Sequence, residues 1–196
     1  ADILKVGKGL GIGSIGRYVD GEVLHFREVE QTKADVENKK QYSRVNVSYK
    51  GWKTNDEVTD FSSQFTIFPN ERYTEHTIHS STALEGICTG IVNLYNLPME
   101  QKQDAGQSWG YIATYGKQTL FDDNLGMAIF YKVDTVEKIF TGPHDHLIQF
   151  KPTQEKVTFY FLGAWEKEPQ ALKDEAAFFE YLNKNLESLN KNQKLN

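Results

Sequence analysis

The sequence lacks long apolar runs, blocks of one charge sign and a second cysteine. The 196-residue sequence contains no apolar run that approaches the roughly 18 consecutive residues that predict a membrane-spanning helix. Its 22 Lys and Arg and 27 Asp and Glu are scattered along the chain and give a net charge of −5, with no basic patch. We therefore predict no membrane span and no nucleic-acid partner. Cys88 can form no internal disulfide, and its apolar neighbours predict a buried, inert thiol.

Apolar and polar residues alternate along much of the chain after residue 40, which is the pattern of half-buried strands. Val45, Val47 and Tyr49 alternate with polar residues, and residues 61–68 repeat the pattern. The run 84–97 is apolar at both parities, which predicts a strand covered on both faces. Turn residues recur at intervals of about 8 to 12 residues. The sequence predicts a mainly β, antiparallel sandwich in which residues 1–196 form a single domain.

Three further segments carry their own signals. Asp20-Gly21 between two apolar pairs predicts a β-hairpin, and the polar run 31–40 predicts a loop. A C-terminal amphipathic helix is predicted over about residues 169–190, with Pro169 at its first position. The predicted apolar stripe of this helix is Leu172, Ala176, Phe179, Leu182, Leu186 and Leu189.

The glycine-rich segment 11–16 matches the G-x-G-x-x-G pattern of dinucleotide-binding proteins and follows a short strand predicted at 3–6. Such a site needs a helix to begin at the glycines, so that the helix N-terminus faces the pyrophosphate. Here the Asp20-Gly21 hairpin follows instead, which argues against a nucleotide site. The sequence also contains no nucleophile elbow and no P-loop.

Glu75 and His79 lie on one predicted strand and, four residues apart, on the same face of it. A carboxylate near an imidazole orients the ring and raises its basicity, so the two residues are candidates for an acid/base couple. The alternative is that they belong to an exposed polar sheet face, which antiparallel sheets commonly have.

His144 and His146 follow Gly142-Pro143 and would share a face at the start of a strand. There they can converge on one substrate or one metal ion, whereas the alternative is a solvated loop. The spacing of the histidines does not match a known set of metal ligands, so we predict no metal site.

Trp52, Trp109 and Tyr111 are flanked by polar or small residues, and such rings can stack on the apolar faces of sugars. Trp109 is the preferred platform because the polar loop before it can form the wall of a cleft. Packing in the core is the alternative for each ring.

Three short signatures carry a family resemblance. They are Asp2-Ile3-Leu4-Lys5-Val6-Gly7 with Gly9-Leu10-Gly11-Ile12-Gly13-Ser14, then Asn124-Leu125-Gly126-Met127-Ala128-Ile129, and finally Gly163-Ala164-Trp165-Glu166. In these signatures the chain resembles the bacterial family of unknown function DUF4861, which is associated with gene clusters that degrade pectin and other uronate-containing polysaccharides. The resemblance implies a periplasmic or extracellular protein with a large, mutarotase-like supersandwich. It also implies that the chain is the C-terminal part of a longer protein, with a missing N-terminal segment as a partner.

On this resemblance we expect a carbohydrate-active protein that acts on uronate-containing oligosaccharides or polysaccharides by hydrolysis or β-elimination. The catalytic candidates are His79, Glu75, His144 and His146. The substrate-binding candidates are Trp109, Trp52 and Tyr111 for stacking, and Arg72 and Arg44 for a substrate carboxylate. A non-catalytic carbohydrate-binding module and a structural half of a larger sandwich are the alternatives, and no cofactor is indicated.

Overall fold

The computed structural model describes residues 3–195. Ala1, Asp2 and Asn196, which the predicted domain includes, lie outside the described residues. The strands and the helix are, in chain order, β1 (Ile12–Val19), β2 (Glu22–Leu24), β3 (Gln31–Asn38), β4 (Ser43–Thr54), β5 (Glu57–Ile67), β6 (Thr74–Ser80), β7 (Ile87–Val92), β8 (Glu100–Lys102), β9 (Trp109–Lys117), β10 (Asn124–Lys132), β11 (Val136–Thr141), β12 (Asp145–Phe150), β13 (Val157–Trp165) and α1 (Glu175–Asn192).

Within the described range the strands form two antiparallel sheets that pack face to face. The small sheet has five strands in the order β11-β12-β7-β1-β2, and the large sheet has eight in the order β3-β4-β5-β6-β13-β10-β9-β8. Between them, Ile91 and Ile148 of the small sheet share a core with Ile129 and Phe159 of the large sheet. The predicted mainly β antiparallel sandwich with a C-terminal helix is confirmed.

Strand β7 lies in the middle of the small sheet and is covered on both faces. All six of its residues are buried, which confirms the prediction made from its apolar sequence, although the strand is shorter than the run 84–97. Ile91 points into the core, while Cys88 packs against Leu10 and Leu147 on the opposite face. Burial raises the pKa of the Cys88 thiol to about 12, in agreement with the predicted inert cysteine.

The Asp20-Gly21 hairpin is confirmed: Val19 pairs with Glu22, and φ is 51° at Asp20 and 88° at Gly21. Two other local predictions are wrong. Residues 3–6 form no strand, and the polar run predicted as a loop contains strand β3, which pairs with β4 from Gln31–Lys50 to Asn38–Ser43. Because β3 is an edge strand with exposed faces, no core selects apolar residues on it, and its composition is that of a loop.

Helix α1 begins later than predicted. Asp174 is its N-cap and accepts a 2.8 Å hydrogen bond from the backbone N–H of Ala177. Pro169 is not helical, because Gln170 has a left-handed φ of 60° that interrupts any helix begun at Pro169. The predicted stripe is also wrong in its first turns, since the buried residues are Phe178, Leu182, Leu186 and Leu189.

The helix covers only part of the outer face of the large sheet. Its buried side chains pack against residues of β9, β10 and β13, among them Tyr111, Phe130 and Leu162. The outer face of β3, β4, β5 and β6 lies beyond this contact. It is the part of the sheet on which a ligand can approach the side chains.

Candidate functional site

The outer face of β3 to β6 carries polar side chains in rows that cross the strands. Successive residues of a strand point to opposite faces, so Phe61 and Ile78 face the core while their neighbours face outward. We call this surface the polar face. Its residues are Lys33, Asp35 and Glu37 on β3; Arg44, Asn46 and Ser48 on β4; Ser62, Gln64 and Thr66 on β5; and Glu75, Thr77 and His79 on β6.

The middle row of the polar face is a chain of hydrogen bonds. The side-chain amide of Gln64 donates to Asn46 Oδ1 at 2.8 Å, and the amide of Asn46 donates to Asp35 Oδ2 at 2.9 Å. Further along the row, the hydroxyls of Thr77 and Thr158 lie 2.8 Å apart. These contacts hold planar amides and a carboxylate in fixed orientations, with donors and acceptors left for a ligand.

Arg44 provides a positive charge in the next row. Its Nε donates to Thr66 Oγ1 at 3.1 Å, and its guanidinium lies 4.6 Å from the centre of the Tyr42 ring. The carboxylate of Glu37 is 3.9 Å from Nη1. Because the single ion pair is long and the side chain is partly exposed, the guanidinium can still bind a carboxylate from solution.

Glu75 ends this row beside the helix-covered part of the sheet. It is in register with Tyr160, whose pKa is raised by burial first and by the charge of Glu75 second. Tyr160 therefore stays a neutral phenol that can hydrogen bond to the Glu75 carboxylate. This contact fixes Glu75 at the boundary between the polar face and the helix.

His79 lies where two shallow depressions of the polar face meet. The larger, of about 360 Å³, is lined by Lys33, Tyr49, Asp60 and their neighbours, and the smaller, of about 150 Å³, lies over the amide row. Among the described residues the His79 side chain has no hydrogen-bond partner. It is the imidazole of the polar face that a ligand can reach.

Glu75 and His79 share a face, but the structure does not bring their side chains into contact. Four residues of strand separate their Cα atoms by about 13 Å. Thr77 lies between them on the same face. Any joint action of the two residues would therefore be on different parts of a long ligand.

The three predicted stacking platforms are built into the protein interior. Trp52 is fully buried and packs against the Phe26 ring at an angle of 33°, with ring centres 4.0 Å apart. Trp109 and Tyr111 are buried under α1, where Tyr111 Oη donates to Asn183 Oδ1 at 3.3 Å. None of these rings presents a face to solvent, which matches the core-packing alternative.

Arg72 and His146 have structural partners that occupy their polar atoms. Arg72 lies just before β6, forms an ion pair with Glu168 and donates to the carbonyl of Gln170 at 2.9 Å, which ties the start of β6 to the segment before α1. His146 is buried, with Nδ1 2.9 Å from Thr141 Oγ1 and Nε2 2.9 Å from the Leu97 carbonyl oxygen. Burial lowers the pKa of His146, so the ring is a neutral structural element.

His144 lies on another part of the molecule, in the wall of a cavity beside the small sheet. The four residues Glu75, His79, His144 and Trp109 therefore do not converge on one cleft. Of the predicted site residues, Glu75, His79 and Arg44 share the polar face. Among residues 3–195, no group of three or more His, Cys, Asp or Glu side chains is placed to hold a metal ion.

Sequence reasoning misses Asp35, Asn46 and Gln64, which form the hydrogen-bonded row of the polar face. Asn46 and Gln64 occupy polar positions of two strands whose alternation is visible in the sequence, so a search for amides at outward parity would find them. Asp35 gives no such signal because β3 has the composition of a loop.

None of the helices in the described part of the chain has the length and apolar character needed to cross a membrane. No curated protein and no solved structure matches the chain. A family match nevertheless extends over residues 1–195, and the chain belongs to the family described as Domain of unknown function (DUF4861).

Proposed function

We propose that this protein is carbohydrate-active and binds uronate-containing oligosaccharides across the polar face. The observation that carries the proposal is the hydrogen-bonded row of Asp35, Asn46 and Gln64. Oriented amides and carboxylates can donate to and accept from vicinal hydroxyls. A chain of sugars that crosses the strands would meet a new side chain at each step of about 4.8 Å.

The charges of the polar face favour an acidic sugar. Arg44 offers a planar guanidinium suited to a carboxylate. Lys33 and Lys156 flank the two depressions, and neither forms an ion pair within residues 3–195. These cations are placed along the path of the proposed ligand, so that more than one carboxylate of an oligouronate can be paired.

Binding is supported better than a two-carboxylate hydrolysis that uses the predicted catalytic residue Glu75. The other carboxylate in the row of Glu75 is Glu37, which lies three interstrand spacings, or about 14 Å, away. Glycosidases place their two carboxyl groups within roughly 5 to 9.5 Å of each other. The available His79 favours β-elimination as the second candidate function, with the imidazole as the base and a cation pairing the uronate carboxylate.

Calorimetric titration of the full chain with oligogalacturonates tests the proposal. Removing Asn46 and Gln64 together (N46A with Q64A) should weaken binding about tenfold, since each hydrogen bond contributes roughly 0.5 to 1.5 kcal/mol. Gln107→Ala, an exposed amide on the distant β8–β9 connection, is the matched control and should bind as the wild type does. An undiminished affinity in the double variant would contradict the proposal.

The same samples separate binding from catalysis. β-Elimination creates an unsaturated uronate that absorbs ultraviolet light, whereas hydrolysis increases the number of reducing ends. His79→Ala should abolish product formation if the imidazole is the base, and should change affinity little. Binding without product after long incubation would identify a non-catalytic module. A polysaccharide ligand further leads us to propose a periplasmic or extracellular protein, which cell fractionation checks.

A further inference from the structure

A second concave site lies away from the polar face, where the β2 edge of the small sheet meets the β4–β5 turn. It is a cavity of about 420 Å³, which is in the size range of small-molecule sites. Lys8, residues 21–25, Arg27, Glu28, residues 53–55 and Pro143-His144 line it. None of these residues belongs to the polar face, so the cavity is a separate site.

The charged groups of this cavity are not used within the protein. Lys8, Arg27 and Lys53 are cations, Glu22 and Glu28 are anions, and none of the five forms an ion pair within the described residues. His25 and His144 add two imidazoles to the lining. The lining thus carries one formal positive charge in excess, in a chain with a net charge of −5.

The backbone that carries these groups is held in place. Lys53 N–H donates to the Glu28 carbonyl at 2.9 Å, and buried Trp52 Nε1 donates to the His25 carbonyl at 3.2 Å. His25 Nε2 lies 3.1 Å from the carbonyl oxygen of Lys8. These bonds join three separate segments of the wall, so the cavity is a preformed feature.

Asp145, at the start of β12, holds the segment that carries Lys8 in place. Its Oδ1 accepts a 2.7 Å hydrogen bond from Leu10 N–H, and a Cβ at Gly9 would lie 2.7 Å from the same oxygen. Its Oδ2 is buried without a hydrogen-bond partner. Burial raises the pKa of Asp145, whereas the Leu10 N–H and the charges of His25 and His144 lower it.

We propose that this cavity binds a small hydroxylated anion, such as a sugar acid or a sugar phosphate. Lys8, Arg27 and Lys53 pair with the anionic group through charge-assisted hydrogen bonds. Glu22 and Glu28 accept hydrogen bonds from the hydroxyl groups of the ligand, since an ionised carboxylate has only acceptor atoms. The proposal is independent of oligosaccharide binding on the polar face.

Calorimetry of the full chain with glucuronate, inorganic phosphate and glucose tests the site. Glucuronate and phosphate should both bind, and glucose should bind at least tenfold more weakly because it lacks the charge. Tighter binding of glucuronate assigns the site to sugar acids, and tighter binding of phosphate assigns it to phosphorylated compounds. Equal affinity for glucose and glucuronate, or no heat with either anion, would overturn the proposal.

Single variants locate the binding. Lys8→Gln and Lys53→Gln should each lower glucuronate affinity about fivefold, as expected for a partly exposed ion pair of about 1 kcal/mol. Lys173→Gln, an exposed lysine before α1, is the control that should change nothing. Wild-type affinity in both cavity variants would overturn the proposal. The N46A/Q64A variant should bind glucuronate in this cavity normally, which separates failure here from failure of the polar face.

Discussion

His76 lies between the two sheets with both ring nitrogens hydrogen bonded. Nδ1 donates to the Gly13 carbonyl at 2.9 Å, which leaves Nε2, 3.0 Å from Ser63 Oγ, as the acceptor of the neutral ring. Burial lowers the pKa of His76 to about 4, and the Gly13 hydrogen bond opposes this effect. The neutral form is therefore the form that the fold requires.

This histidine makes stability depend on pH. In the unfolded chain His76 is protonated below about pH 6.5, whereas in the folded chain it stays neutral down to about pH 4. The free energy of unfolding therefore decreases as the pH falls through this window. The pKa difference corresponds to about 3 kcal/mol. Urea unfolding across the window should show a flatter pH dependence for His76→Gln than for the wild type. His79→Gln, on the polar face, should keep the wild-type slope, and equal slopes in all three proteins would refute the assignment.

At the scale of the element, strands that cover a core are predicted correctly from the sequence, and strands that cover no core are missed. Strand β7 and the Asp20-Gly21 hairpin follow from local pattern and turn chemistry. Strand β3 is missed because an edge strand without a covered face needs no apolar residues. Glu75, His79 and Arg44, the members of the polar face that are predicted from the sequence, lie on strands that the sequence also predicts. Which strands become neighbours in the sheet cannot be predicted from local sequence patterns.

Helix α1 shows a second limit, which concerns which of its residues face the sheet. Apolar spacing predicts that Phe179 faces the sheet, but Phe178 is the fully buried residue, and a Cβ at Gly126 would lie 2.5 Å from its ring. The glycine makes room for this ring, and that fit decides the rotation of the first turn. Two adjacent phenylalanines cannot be ranked without knowing which strand residue opposes them.

Truncating the two phenylalanines one at a time tests this phase. Phe178→Ala should lower the free energy of unfolding by about 3 to 5 kcal/mol, the range for a fully buried aromatic ring. Phe179→Ala, on the half-buried side, is the matched control and should cost clearly less. Denaturant titration of both variants measures the difference. A larger loss for Phe179→Ala would restore the phase predicted from sequence.

At the scale of the whole molecule, the two sheets differ in size, and the larger one overhangs the smaller. The side of the large sheet that faces the core continues past the small sheet onto β3 and β4, where Val36 pairs with Val45 and both are exposed. Ile67 at the end of β5 is 53% exposed. The sandwich therefore leaves an open apolar strip on this side of the large sheet.

Self-association through this strip follows from its chemistry, because an edge strand beside exposed apolar side chains can pair with another chain. Val36→Lys places a charge at the centre of the strip and should reduce association at high protein concentration. It should leave the melting temperature unchanged, since Val36 is 65% exposed and contributes little to the core. Val157→Lys, a buried valine of the same core-facing side, is the contrast that should unfold the protein. Sedimentation velocity over a concentration series measures the effect. A wild-type protein that stays monomeric throughout the series would contradict the prediction and would show that the charges of Lys33, Asp35 and Glu37 on β3 already prevent edge pairing.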